Sequence, residues 1–133
     1  MSESISYIKM FNQVIDEFFI ELILFFPNET KIKAKHLLLQ TMFKTNVKKV
    51  CNEFMYGSIN YLEKIAMKDE TFFSGKDKPD LLNELNFDVL WSDMTTNTKE
   101  TIWKYIKTFF MIGVKVIEMP PETIGIINYI IHS

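Results

Sequence analysis

Apolar residues recur at helical spacing along most of the chain. Ile8, Phe11, Ile15, Phe18, Leu22 and Phe25 are separated by alternating steps of three and four, the period of one helix face. Ser4 or Ser6 can cap the start. Pro27 ends the helix, because the residue before a proline avoids the helical region. Phe19, Ile20, Ile23 and Leu24 make its second half apolar on several sides, which predicts a central helix wrapped by others. Asn28 then caps a second helix near Glu29 to Lys44, with Ile32, Leu38, Leu39, Met42 and Phe43 on its apolar face. A third helix after Asn46 carries Val47, Cys51, Phe54, Tyr61 and Ile65, and Gly57 kinks or splits it.

The stretch from Lys68 to Asp80 reads as a loop, with Gly75, Pro79 and a dense run of charges. Leu81 to Trp91 predicts a short helix with Leu82, Leu85 and Leu90 inward. Asn97 followed by Glu100 suits a variant capping box. The helix it opens has Ile102, Ile106, Phe109, Gly113 and Val116 on one stripe, widened by Tyr105 and Ile112. Pro120 and Pro121 stop it, and Pro121 can be the first residue of a last helix, Glu122 to Ile131. The result is an all-α fold, a single compact domain spanning 1–133, with five or six helices.

Composition supports this. The chain has 133 residues, enough for one domain, and only 4 Gly and 4 Pro, too few for the turns of an all-β domain of this length. Cys51 is the only cysteine, so no internal disulfide forms. The opening MSESISYIKM lacks the basic start and apolar block of a signal peptide. The densest apolar stretch, FFIELILFFP, is too short to span a bilayer. A soluble intracellular protein is expected.

Catalytic chemistry has little to stand on. The only histidines are His36 and His132. A Cys51–His36 nucleophilic pair matches no local signature, and a buried structural cysteine with a surface histidine is the preferred reading. Asp77, Asp80 and Glu84 cluster at one helical start, but the alternating oxygen ligands and central glycine of a calcium loop are absent. There is no glycine-rich phosphate loop, HExxH or CxxC. No enzyme, metal, cofactor or small-molecule substrate is predicted.

The charge layout is more informative. All 15 basic residues are lysine, and a sequence-specific DNA reader without arginine would be unusual. Residues 1–29 carry −4, 30–68 carry +6, 69–100 carry −5 and 101–133 carry +1. Lys31, Lys33, Lys35, Lys44, Lys48 and Lys49 form a block without an acid. It suits weak, salt-sensitive nucleic-acid binding, pairing with the acidic segment, or a solvated face.

KDETFF at Lys68 to Phe73, Leu90-Trp91, Ile102 to Ile106 and Phe26-Pro27 resemble the motifs of a group of small helical proteins encoded by large nucleocytoplasmic DNA viruses of algae and protists. That resemblance implies an intracellular viral protein and brings no catalytic residues. Phe72 and Phe73 sit in a charged loop, and Trp91 and Trp103 flank a polar break. They either staple the loop over the core or form a partner-binding surface with an acidic rim.

A non-enzymatic viral interaction protein is therefore the leading expectation, acting in the infected cell or the virion. Self-association, most simply as a two-fold dimer, is expected through Ile126, Tyr129 and Ile130 of the last helix, with the first helix as a further contributor. The alternatives are a lysine-mediated nucleic-acid-binding accessory protein and a helical regulator of host death or innate signalling.

Overall fold

The computed structural model describes residues 2–74 and 78–133 and is helical throughout, with no strand among the described residues. The described residues form eight α-helical segments: α1 Ser2–Phe25, α2 Thr30–Thr45, α3 Lys49–Gly57, α4 Leu62–Ala66, α5 Thr71–Ser74, α6 Phe87–Ser92, α7 Thr96–Val116 and α8 Ile124–His132. Short 3-10 turns precede α4, α6 and α8. The count exceeds the predicted five or six because the third helix is divided and the expected loop holds the single-turn α5. Gly57 closes α3, so the third helix becomes two. The Leu81 to Trp91 segment becomes a 3-10 turn, Asp80–Leu82, and then α6, separated by left-handed backbone at Glu84 and Asn86.

The two longest helices, α1 and α7, pack side by side and form the axis of the core, while α2 and α3 close one side and α8 rests on α4 and α7. Phe109 of α7 is the hub. Its ring lies 5.9 Å from Phe11, 5.4 Å from Phe18 and 5.3 Å from Phe54, the last two edge-on, the orientation that aromatic quadrupoles favour. Every member of the predicted α7 stripe is buried except the half-buried Val116.

Helix ends follow local chemistry, with shifts of one or two residues from the sequence reading. Glu29, not Asn28, caps α2, its carboxylate accepting from the Lys31 amide at 3.4 Å. Thr95, not Asn97, caps α7, its hydroxyl oxygen accepting from the Thr98 amide at 3.2 Å. Threonine at Thr95 takes extended backbone and leaves its oxygen free to turn back on the first turn. Asn12 of α1 donates from Nδ2 to the Val47 carbonyl at 2.8 Å, which ties the α2–α3 turn to the middle of α1.

Candidate functional site

The aromatic residues proposed as a partner surface are instead mutual packing partners. Phe72, Phe73 and Trp91 are buried, and Trp103 is half-buried. Phe73 stacks on Trp91 at 4.2 Å and on Phe87 at 5.3 Å, and meets Trp103 edge-on at 4.8 Å. The loop-borne α5 thus inserts its two phenylalanines between α6 and α7. Burying two adjacent phenylalanines removes far more apolar surface from water than exposing them could recover in a solvated state. Polar closure comes from Glu70, whose Oε1 accepts from Trp91 Nε1 at 2.9 Å and from Lys99 Nζ at 2.9 Å. Lys99 also lies over the Trp91 ring, 5.3 Å from its centroid. The Lys99 ammonium and then the Trp91 indole hold the Glu70 carboxyl below the usual glutamate range.

The last helix is likewise more enclosed than its sequence suggested. Ile130 and Ile127 are buried and Ile126 is half-buried, because α8 packs against both α4 and α7. Of its large apolar side chains only Ile124 and Tyr129 are exposed.

The lysine block does not form one surface. Lys35 donates to the Asp80 carbonyl at 2.7 Å, and Lys49 pairs with Glu53 at 3.5 Å. Lys31, Lys33, Lys44 and Lys48 are exposed at separate points of α2 and the α2–α3 turn. Asp77 and Gly75 lie outside the described residues. Among those described, no group of three His, Cys, Asp or Glu side chains gathers to hold a metal ion.

His36 is not the surface residue expected. Its ring is 14% exposed, its Nε2 is 2.6 Å from Asp16 Oδ1, and it stacks on Phe19 at 6.2 Å. Gln40 Nε2 donates to the same oxygen at 3.3 Å. Asp16 was the missed partner. Its position one turn from Asn12 on α1 was visible in the sequence, but the facing helix was not. Cys51 is fully buried, and burial pushes its thiol up to about 12, with Lys48 only partly opposing the shift, so it is no nucleophile.

What the Asp16–His36 contact does is set the phase of the α1–α2 hairpin. With residues 16 and 19 facing α2, a turn of about 100° per residue directs Gln13, Glu17, Ile20 and Leu24 outward as one stripe. With His36 facing α1, the same rotation directs Lys33, Leu37, Thr41 and Lys44 outward on α2. Their exposure agrees: Leu24 is 73%, Leu37 66% and Ile20 44% accessible. Leu38, expected to face inward, is also exposed, on the other side of α2. The first helix is therefore wrapped on only part of its circumference. The outer face of the hairpin has an aliphatic centre, with an acid on the α1 side and bases on the α2 side.

Among the described residues, no helix is long and apolar enough to cross a membrane. Comparison of the chain with protein-family models, with curated proteins and with solved structures gives no match.

Proposed function

We propose that this chain is a non-enzymatic interaction protein that pairs with a second copy of itself through the outer face of the α1–α2 hairpin. The observation behind the reading is the exposure of Ile20 and Leu24 on α1 and of Leu37 on α2. Contiguous exposed aliphatic side chains lower their free energy by covering one another. A two-fold pairing is self-complementary here, since it lays the α1 stripe of one copy over the α2 stripe of the other. Glu17 then meets Lys33 or Lys44 at both ends of the contact, and the bare aliphatic centres meet in the middle. The viral motifs around Phe26-Pro27, Lys68 to Phe73, Leu90-Trp91 and Ile102 to Ile106 extend the proposal to a small structural or adaptor protein of an infected cell or virion.

The test is sedimentation or light scattering at micromolar protein. A dimer of twice 15.7 kDa is expected for the unaltered chain and for Ile124→Lys. Leu24→Lys and Leu37→Lys should be monomers with unchanged helical circular dichroism. A 15.7 kDa monomer at every concentration would reject self-association. Dissociation by Ile124→Lys alone would move the interface to α8.

A further inference from the structure

On the opposite side of α7 from the hub phenylalanines, α4, α7 and α8 enclose a cleft of about 330 Å³, within the size range of small-ligand sites. Its floor is aliphatic: Ile65, Ile106 and Ile130 line it, and all three are buried. Trp103 forms a wall. One part of its indole is engaged by Phe72, stacked at 6.2 Å, and by the edges of Phe73 and Trp91, while the rest borders the cleft. The rim is cationic. Lys68, Lys104 and Lys107 line it together with the Glu100 carboxylate and Ser133. Lys107 Nζ donates to the Ser133 carbonyl at 3.3 Å. Lys68 and Lys104 make no ion pair among the described residues.

Lys68 carries a second, independent signal. It follows α4 with φ of 51°, the left-handed residue of a helix stop. The Lys68 amide donates to the Ile65 carbonyl at 3.1 Å and the Asp69 amide to the Lys64 carbonyl at 2.8 Å, the paired closure that usually contains glycine there. A lysine Cβ is strained in this conformation, whereas glycine is not. The chain thus carries a charged side chain, aimed at the cleft rim, at a position where glycine would be the more stable residue. Glu84 and Asn86 share this backbone, and Lys68 is the one of the three that lines the cleft.

We propose that this cleft binds a small ligand that joins a flat aromatic ring to a phosphate, of the nucleoside-phosphate class. The ring lies along Trp103 over the aliphatic floor, and the phosphate sits between Lys68 and Lys104. Ring stacking on an indole and charge-assisted contacts to a phosphate draw on different parts of the ligand, so neither half alone should match the whole. The site is independent of self-association, because the pairing face lies on α1 and α2.

The test titrates the full chain separately with AMP, adenosine and inorganic phosphate, by calorimetry and by tryptophan fluorescence. AMP should bind saturably and more tightly than either fragment. Lys68→Gly should weaken AMP by about tenfold, the scale of one charge-assisted hydrogen bond, while melting at a higher temperature than the unaltered protein. That combination separates a lost contact from a damaged fold. Lys115→Ala, an exposed lysine further along α7, should bind AMP unchanged. The proposal is overturned by absence of saturable AMP binding, by adenosine or phosphate binding as tightly as AMP, or by Lys68→Gly binding AMP as tightly as the unaltered chain.

Discussion

Two regions of this protein present large apolar side chains from stretches that look similarly exposed in sequence, and they end differently. The aromatics around α5 lie in a charged, loop-rich stretch, yet Phe72, Phe73 and Trp91 are buried and cross-stacked. The aliphatics Ile20, Leu24 and Leu37 lie on the two regular helices of a hairpin, yet they face solvent. The difference is one of available partners. Around α5 the short elements α5 and α6 fold over α7 and supply ring faces and edges on all sides, and Glu70 satisfies the one indole N–H that would otherwise be orphaned. On the hairpin, α1 and α2 each use one face against the core and another against each other, and among the described residues no further helix lies outside them. Apolar character therefore marks packed structure in the first region and an uncovered surface in the second.

The comparison breaks most visibly at Phe73. Phe73→Ala removes a ring packed against four aromatic neighbours and should destabilise the fold by about 3–5 kcal/mol, read from the midpoint of chemical denaturation. Leu24→Ala, measured at a concentration where the chain is monomeric, should change stability by no more than about 0.5 kcal/mol. Equal effects would show that the outer hairpin face is not free in the monomer.

Two of the helical glycines, Gly113 and Gly125, sharpen the same contrast on a smaller scale. A Cβ at Gly113 would collide with the sulfur of Met55, which is fully buried between α3 and α7. Gly113→Ala should lose about 1–3 kcal/mol through overpacking, more than the ~1 kcal/mol that helix propensity returns. A Cβ at Gly125 meets nothing within 4 Å. Gly125→Ala should leave stability unchanged or raise it by up to about 0.5 kcal/mol at this first-turn position. Thermal or urea melts of the pair give the comparison directly.

Acid should loosen the aromatic region through Glu70. Glu70 is held below its ordinary 4.5, first by Lys99 and then by Trp91. A depressed carboxylate stabilises the fold fully above its unfolded value, and that contribution is lost as pH falls through the folded value. The stability difference between the unaltered chain and Glu70→Gln should therefore be largest above pH 4.5 and shrink as pH drops below it. Trp91 fluorescence should report the same change. A difference that stays constant down to about pH 2 would show that the carboxylate charge is not what secures the indole.

The smallest effect is at Cys51. With its thiol pushed up to about 12 by burial, it should react with a thiol reagent at about pH 8 only as fast as the protein opens. Rapid labelling of the folded chain would mean that the α3 side of the core is open to solvent, and the core would then be no more closed than the hairpin surface.

The periodic pattern was sufficient for the long helices. Alternating steps of three and four along α1 and α7 name residues that meet in the core, because a helix repeats its face every 3.6 residues whatever packs against it; Phe25 at the end of α1 is the exception and is exposed. Pro27 and Pro120 likewise act through their own backbone constraints, and they and Gly57 mark element ends that the fold keeps. What periodicity could not supply was the identity of each neighbour. Asp16 and His36 are 20 positions apart, Glu70 and Trp91 are 21, and no local rule joins them. The fate of Phe72 and Phe73 depended on whether α6 and α7 would come within reach. The exposure of Leu24 depended on no element covering α1 from outside. Lys68 looked like one charge in a loop until its left-handed backbone placed it on the rim of a cleft. Helix period and chain breaks are properties of a segment and its own backbone, so sequence alone determined them. Burial, pairing and the shape of a binding cleft are properties of distant segments brought together, and only the tertiary structure decided them.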